Sequence, residues 1–245
     1  MANWNDPQPR TGFGASPSLN GATIGTATDA GLRRHMLSIY NYMASGVLLS
    51  GIVALLVSSS EAGQQAMRSP LWLIFAIAPL GFVFAMSFGL NKMKTSTLQM
   101  LYWAFATVMG LSLSTIFVRY TGTSIATTFF ATAGAFAGLS LVGYTTKKDL
   151  SGFGSFLIMG VIGILIAGLL NLFIQSSALQ LAISVLGVLI FAGLTAYDTQ
   201  RLKQEYQYLA GTEFAGKAVV MGALSLYLDF INMFTFLLQL LGDRR

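Results

Sequence analysis

Residues Ala218–Gly242 read AVVMGALSLYLDFINMFTFLLQLLG, an apolar segment with one charged residue, Asp229. Eleven uncharged residues precede this aspartate in the segment and thirteen follow it. A second aspartate, Asp198, ends the longest uncharged run of the chain, Leu150–Tyr197. A carboxylate at bilayer depth costs several kcal/mol, and such residues usually face a protein interior or a wet cavity on an ion or proton path. Both aspartates are therefore candidate functional residues.

The composition is that of a membrane protein. Hydrophobic residues make up 54% of the chain and charged residues 9%, whereas soluble globular domains carry about 25% charged residues. Because a helix needs about 20 apolar residues to cross the hydrocarbon, the uncharged runs predict an all-α polytopic membrane protein with seven transmembrane helices. The predicted spans are residues 36–57, 71–90, 97–118, 123–145, 153–174, 178–198 and 218–241.

The segment before the first span has a different composition. Residues 1–32 are rich in Gly, Ser, Thr, Asn and Pro, which predicts a disordered cytoplasmic N-terminal tail, and residues 33–245 are predicted to form the transmembrane domain. With this tail in the cytoplasm, ten Lys and Arg residues lie on the cytoplasmic side and four on the opposite side, as the positive-inside rule expects. The four are Arg68, Arg119, Arg244 and Arg245.

The final arginine pair runs against that rule, and a last segment that re-enters instead of crossing would remove the discrepancy. Both forms of the last segment therefore stay open. The net charge of +5 is explained by basic helix ends that face anionic lipid, so the bilayer is the predicted partner and no nucleic acid is expected.

Polar residues of the last span share one face. At 100° per residue, Ser225, Asp229, Asn232 and Gln239 fall within a strip about 80° wide. A polar strip that contains a carboxylate is typical of the wall of a hydrated path, so these side chains are predicted to line a pore. Single polar residues in spans also act as hydrogen-bonding partners between helices, which is the plainer interpretation.

The sixth span has a matching face, formed by Ser184, Gly187, Phe191, Thr195 and Asp198. If this face packs on the polar strip, the two aspartates meet near the cytoplasmic side. Asp198 also has a simpler interpretation, because Arg201 follows it at i+3 and such pairs are ordinary features of helix ends.

Small residues predict where helices pack. Gly134 and Gly138 form a GxxxG motif in the fourth span, and such motifs let helix backbones approach closely in lipid. Pro79, near the middle of the second span, removes one backbone hydrogen bond and predicts a bend.

Signatures of enzymes are missing from the sequence, which has no G-x-S-x-G, no H-E-x-x-H and no phosphate-binding glycine loop. The single histidine, His35, cannot build a metal cluster and is interpreted as an interfacial residue. No cysteine is present, which excludes thiolate chemistry and disulfides. The chain is therefore not predicted to be an enzyme or to hold a tightly bound cofactor.

Two segments carry a resemblance to a known family. Gly193–Gln200 (GLTAYDTQ) and Ala223–Phe234 (ALSLYLDFINMF) contain the two aspartates. They resemble the signature of the Bax inhibitor-1 family, also called the transmembrane Bax inhibitor motif family, in its bacterial branch. The resemblance covers roughly residues 33–242 and includes Tyr40–Gly46 (YNYMASG) and Lys147–Leu150 (KKDL). It implies a seven-helix fold in which the last helix is enclosed by the other six.

The resemblance also implies a function, a pH-sensitive calcium leak across a bacterial cytoplasmic (inner) membrane. The gate would be a hydrogen-bonded aspartate pair that corresponds to Asp198 and Asp229. Family members are similar in having an arginine at the cytoplasmic end of the second span that latches onto the first aspartate, and an ungapped comparison puts Lys92 at that position. Lysine lacks the bidentate fork of arginine, so a latch formed by Lys92 is expected to be weaker.

Electrostatics gives this pair a mechanism. Two carboxylates in contact in a poorly hydrated site cannot both ionise cheaply, so they titrate as a unit and are expected to share one proton at neutral pH. Calcium takes roughly six to eight oxygen ligands. Asp198, Asp229 and nearby Asn232 or Ser225 supply only part of that number, so weak calcium binding is expected, which suits a leak. A long loop, Gln200–Lys217, is expected between the two spans.

Two other function classes stay open. The first is a non-conducting membrane regulator of the Bax inhibitor type, which binds other membrane proteins and uses the aspartates to fix its fold. The second is a proton-coupled transporter that uses the same pair as a carrier. The polar strip of the last span favours conduction.

Overall fold

The computed structural model describes residues 21–70 and 72–245, with side chains from Ala30 onward. Within this part of the chain, seven helices are long and apolar enough to cross a membrane, and one short helix lies between the first two of them. The predicted all-α fold with seven spans is confirmed. The helices are α1 (Gly21–Ser59), α2 (Glu61–Met67), α3 (Trp72–Gly89), α4 (Thr95–Arg119), α5 (Gly122–Thr145), α6 (Ser151–Ile174), α7 (Ser177–Leu209) and α8 (Phe214–Leu241).

The N-terminal tail is described only in its last part. Residues 1–20 of the predicted disordered segment lie outside the described residues. Helix α1 begins at Gly21, so helical backbone extends twelve residues into the segment 1–32 that the composition assigned to the tail. Extending a formed helix costs far less than starting one, because nucleation carries most of the entropic penalty. The first span therefore continues past the boundary that composition predicts.

Helix α8 lies at the centre of the bundle. In its most apolar stretch 61% of the residues are buried, compared with 11% to 33% in the other six spans. It packs against α1, α4, α5 and α7. Its Tyr227 hydroxyl lies 2.6 Å from the hydroxyl of Ser50 in α1, which in turn donates to the carbonyl of Ala106 in α4 at 2.6 Å. A polar network thus joins the last helix to two of the helices that surround it.

The last segment is one continuous helix that is long enough to cross a membrane. Helix α8 is continuous over 28 residues, and such a helix is about 42 Å long, which exceeds the hydrocarbon thickness. Its C-terminal end therefore lies at the opposite end of the bundle from its start. This leaves Arg244 and Arg245 at the same end as Arg119, whose carbonyl accepts a hydrogen bond from the backbone N–H of Arg245 at 2.9 Å.

The predicted long loop between residues 200 and 217 is wrong. Helix α7 continues to Leu209, and α8 begins at Phe214. The charged residues that suggested a loop lie on a helix, where Arg201 Nε pairs with Glu205 Oε1 one turn later at 3.4 Å. Leu202, on another face, is buried in the bundle. The connection is therefore short, and α7 and α8 are neighbouring antiparallel helices.

The predicted packing motif of α5 faces outward. A Cβ atom added at Gly134 or Gly138 would meet open space, so these glycines do not pack against another helix of this chain. The close approach in α5 occurs at Gly143, where a Cβ would clash with the backbone carbonyl of Ala196 in α7. Gly143 is thus the position at which α5 depends on having no side chain.

This contrast predicts unequal effects of one substitution at two sites of the same helix. Gly143→Val is expected to lower the midpoint of thermal unfolding in detergent, because overpacking against backbone costs about 1–3 kcal/mol. Gly138→Val is the matched control and is expected to leave the midpoint nearly unchanged. Equal shifts in the two variants would show that the backbone contact at Ala196 is unimportant.

Candidate functional site

The predicted faces of α7 and α8 pack against each other. Ser184 Oγ of α7 donates to Gln239 Oε1 of α8 at 2.9 Å. One turn further along α7, Gly187 leaves room for the ring of Phe236, and that ring stacks on Phe191 with centroids 6.0 Å apart. This packing brings Asp198 of α7 and Asp229 of α8 into the same buried region.

Asp198 is held by two partners. Only 5% of the residue is exposed. Its Oδ2 accepts a short hydrogen bond from the hydroxyl of Ser225 in α8, and its Oδ1 lies 3.3 Å from Nη1 of Arg201. Arg201 also donates from Nη2 to the Ser225 hydroxyl at 3.2 Å. The three side chains form a closed network that links α7 to α8.

Asp229 lies one helical turn after Ser225 and is 4% exposed. Its Oδ2 is inaccessible to solvent and has no hydrogen-bond partner among the described residues. The structure shows no direct hydrogen bond between the two aspartates, which the family resemblance implies, and Oδ2 of Asp198 accepts from Ser225. Asp229 therefore has unused capacity to bind a proton or a cation.

Arg201 occupies the place that sequence reasoning gave to Lys92. Lys92 follows α3 in a turn in which its backbone N–H donates to the Gly89 carbonyl at 3.0 Å, and its side chain is exposed. Within the described part of the chain it makes no ion pair, and the cation at Asp198 is Arg201. The predicted contact between Lys92 and Asp198 is thus absent from this structure. The i+3 spacing of Arg201 is the signal that the sequence offers, although such a spacing is also an ordinary feature of a helix end.

A cavity of about 430 Å³ lies between α3, α7 and α8. Arg201 and Ser225 line it and also contact Asp198, so they stand between the cavity and that carboxylate. Asn91 and Lys217 line it too, and Lys217 Nζ donates to the Leu90 carbonyl at 3.0 Å. The cavity therefore gives an approach to the aspartates from the end of the bundle at which α3 ends, through a lining that is mostly apolar with a few polar and charged side chains.

The polar strip of α8 is divided between different environments. Ser225 borders the 430 Å³ cavity, whereas Gln239 borders a second cavity at the other end of the helix. Asn232 is half-buried and donates from Nδ2 to the Leu228 carbonyl at 2.8 Å. Gln239 accepts hydrogen bonds from Ser184 and, at 2.7 Å, from Gln180. For Gln239 the structure shows the plainer alternative, a hydrogen-bonding partner between helices.

The site offers few ligands for a metal ion. No group of three or more His, Cys, Asp or Glu side chains is placed to hold a metal within residues 30–70 and 72–245. Asp198, Asp229 and Ser225 supply only a few of the roughly six to eight oxygens that calcium takes.

Two other titratable residues, His35 and Asp149, lie near this end of the bundle. His35 of α1 is 8% exposed, and its ring centroid lies 5.1 Å from that of Tyr206 in α7. Asp149 lies in the loop before α6, where hydrogen bonds from the hydroxyl and the backbone N–H of Ser151 lower the pKa of its carboxyl. Asp149 therefore stays ionised between about pH 5 and 8 and is not a sensor in that window.

Comparisons with known proteins extend over most of the chain. The family model described as Bax1-I, inhibitor of apoptosis-promoting Bax1, matches residues 32–245. An uncharacterized protein of Caulobacter vibrioides is 50% identical, over 89% of this chain and 92% of its own length. The Escherichia coli K12 protein named inner membrane protein YbhL is 44% identical, over 88% of this chain and 94% of its own. An uncharacterized membrane protein of Streptococcus pyogenes is 36% identical, over 91% and 99%.

Proposed function

We propose that this chain, which belongs to the Bax inhibitor-1 family, is a pH-sensitive calcium or cation leak channel gated by Asp198 and Asp229. One observation carries the proposal: two carboxyl groups are buried on facing helices, and Asp229 Oδ2 has no hydrogen-bond partner among the described residues. Burying a carboxyl without partners costs stability. A purely structural aspartate would be expected to have its hydrogen bonds satisfied.

The closed state is held by Arg201. Its guanidinium lies at the cavity lining, contacts Asp198 and Ser225, and repels cations that approach from the cavity. Glu205 Oε1 is 3.4 Å from Arg201 Nε, so a second carboxylate is already in place to hold the guanidinium after it leaves Asp198. Release of Arg201 toward Glu205 would open the path from the cavity to the aspartates.

Protons drive this release. Protonation of the aspartate pair removes its attraction for Arg201 and shifts the population toward the open form. The same protons weaken the attraction of the pair for calcium, so the two effects oppose each other. Opening dominates, because a blocked path carries no ions, whereas weaker binding only lowers occupancy.

The loosely attached helix α3 is suited to widening the cavity. It packs mainly against α4, and it forms the side of the 430 Å³ cavity that faces α7 and α8. Pro79 lies inside this helix and removes one of its backbone hydrogen bonds. A small movement of α3 would therefore leave the contacts between α1, α4, α7 and α8 in place.

The proposed location follows from the relatives and from the charges. One relative is named an inner membrane protein, and we place this chain in a bacterial inner membrane as well. The excess of Lys and Arg at the end that holds the 430 Å³ cavity supports a cytoplasmic position for the N-terminus and for this cavity. Calcium and protons are its proposed partners besides lipid, and we assign no catalytic role and no bound cofactor.

Calcium flux into liposomes that contain the purified protein tests the proposal directly. A trapped calcium dye is expected to report flux that rises as the pH falls from about 8 to about 5, because acid protonates the buried carboxyl pair as a unit and releases Arg201. His35→Gln is expected to keep this response, since His35 contacts neither aspartate.

Other outcomes of the flux measurement would favour a different function or contradict the gating scheme. Absence of flux at every pH from folded protein would favour a non-conducting membrane regulator. Flux that occurs only with a proton gradient, and that moves protons in a fixed ratio, would favour a proton-coupled transporter. A steady fall of flux on acidification would show that the gating scheme is wrong.

A further inference from the structure

A second polar cavity lies at the end of the bundle opposite the 430 Å³ cavity. Its volume is about 750 Å³, and it is bordered by the C-terminal ends of α4 and α8, by the connection between α6 and α7, and by the last residues of the chain. Arg119, Arg244 and Arg245 line it, and no acidic side chain of residues 30–70 and 72–245 does. From Asp198 to the start of α7 is about 30 Å along the helix axis, so this cavity is separate from the aspartate pair.

Backbone hydrogen bonds fix the arginines in place. The N–H of Arg245 donates to the Arg119 carbonyl at 2.9 Å, and the N–H of Thr121 donates to the Asp243 carbonyl at 3.1 Å. Asp243 is further anchored to Ser124, whose hydroxyl accepts from the Asp243 N–H at 3.0 Å. The chain end is thus attached to the start of α5, and the grouping of the three arginines follows from main-chain geometry.

The guanidinium groups of this cluster have no anionic partner within the described residues. Among the described residues, the only arginine that forms ion pairs is Arg201, which lies at the other end of the bundle. The carboxylate of Asp243, beside Arg244 in the chain, accepts instead from the Ser124 hydroxyl at 3.3 Å. Three like charges around one cavity repel each other, and a bound anion would offset that repulsion.

The fourth arginine of this end extends the same surface. Arg68 borders a smaller cavity of about 240 Å³, and this cavity shares Thr115, Val118 and Arg119 with the larger one. All four basic residues that the charge count assigns to this side therefore border two adjoining cavities. Lys and Arg are scarce on the non-cytoplasmic side of membrane proteins, so their concentration at one place needs a specific cause.

We propose that this arginine-lined cavity is a binding site for an anion that carries a phosphate and hydroxyl groups. Guanidinium forks donate paired hydrogen bonds to phosphate oxygens, and the volume lies in the range of ligand sites. The side chains of Gln175 and Ser177 also line the cavity, and their polar groups can bond to the hydroxyl groups. The start of α7 adds the positive end of a helix dipole.

A phospholipid headgroup and a soluble sugar or glycerol phosphate share this chemistry. The thermal unfolding midpoint of the purified full-length protein in nonionic detergent distinguishes them. The probes are short-chain phosphatidylglycerol, glycerol 3-phosphate and inorganic phosphate, with short-chain phosphatidylcholine as the zwitterionic control. Stabilisation by phosphatidylglycerol alone identifies a lipid site, and equal stabilisation by glycerol 3-phosphate identifies a soluble ligand.

Charge-removing variants locate the site. The double variant Arg244→Gln/Arg245→Gln changes exposed residues at the chain end, and it is expected to weaken the apparent affinity for the stabilising probe at least fivefold. Arg119→Gln is expected to act in the same direction. The matched control Lys92→Gln/Lys94→Gln removes the same charge at the other end of the bundle and is expected to leave the affinity unchanged. Absence of stabilisation by every phosphate probe, equal stabilisation by phosphatidylcholine, or an equal loss in the lysine control would overturn the proposal.

Discussion

Asp229→Asn is expected to abolish the acid activation of calcium flux, so that liposomes show equal flux at about pH 5 and about pH 8. The amide has almost the shape of the carboxyl group and still forms hydrogen bonds, so the fold is expected to survive. It cannot titrate, and Asp198 loses the neighbouring carboxyl group to which its own titration is coupled. Asp198 also stays paired with Arg201, which keeps the closed network intact.

Asp198→Asn tests the attachment of Arg201 as well as the titration of the aspartate pair. It removes the carboxylate that holds Arg201, so it is expected to raise flux at neutral pH and to flatten the response to acid. Asp149→Asn is the control outside the bundle, and its response is expected to match that of the parent protein. An unchanged pH response in Asp229→Asn would remove this residue from the mechanism.

Arg201→Met is expected to raise calcium flux at neutral pH by about three- to tenfold, the effect of a partly exposed ion pair worth about 1 kcal/mol on a two-state equilibrium. The side chain of Arg201 is 38% exposed, which keeps this value modest. Methionine preserves much of the aliphatic stem, so packing near Tyr197 changes little. Flux into liposomes at neutral pH is the measurement.

Lys92→Met is the matched control, because it removes the other candidate cation from the same end of the bundle. It is expected to leave flux at the parent level, since Lys92 makes no ion pair in the described structure. A larger effect of Lys92→Met than of Arg201→Met would assign the latch to Lys92, as the family resemblance implies, and would contradict the proposed role of Arg201.

The spans could be predicted closely from the sequence because hydrocarbon thickness sets a minimum length for an uncharged run. The predicted last span, 218–241, and helix α8, Phe214–Leu241, end at the same residue. The shared faces of α7 and α8 were also predictable, since helical periodicity alone places Ser184, Phe191 and Asp198 on one side. The length of the uncharged runs and the helical period of the side chains therefore predicted most of the fold.

The contacts of individual side chains could be predicted less well from the sequence. Lipid is as apolar as a protein core, so periodicity does not tell a lipid-facing glycine such as Gly138 from a packed one such as Gly143. The predicted contact between Lys92 and Asp198 is absent for a related reason: matching positions along two chains does not fix the direction of a long side chain, and Lys92 is exposed. Arg201 reaches Asp198 because both residues lie on one face of a single helix.

The central position of α8 has a consequence for how the protein is made. Ribosomes deliver a chain from its N-terminus, so the spans that surround α8 enter the membrane before the helix that they enclose. Until α8 arrives, Ser50 of α1 lacks its tyrosine partner, and the Gly187 face of α7 has no ring to cover it. Before α8 is in place, the other six spans therefore leave uncovered the surfaces against which it packs. These surfaces are covered only when the last span has been synthesised, so we expect a chain truncated before α8 to be less stable in the membrane than the full-length protein.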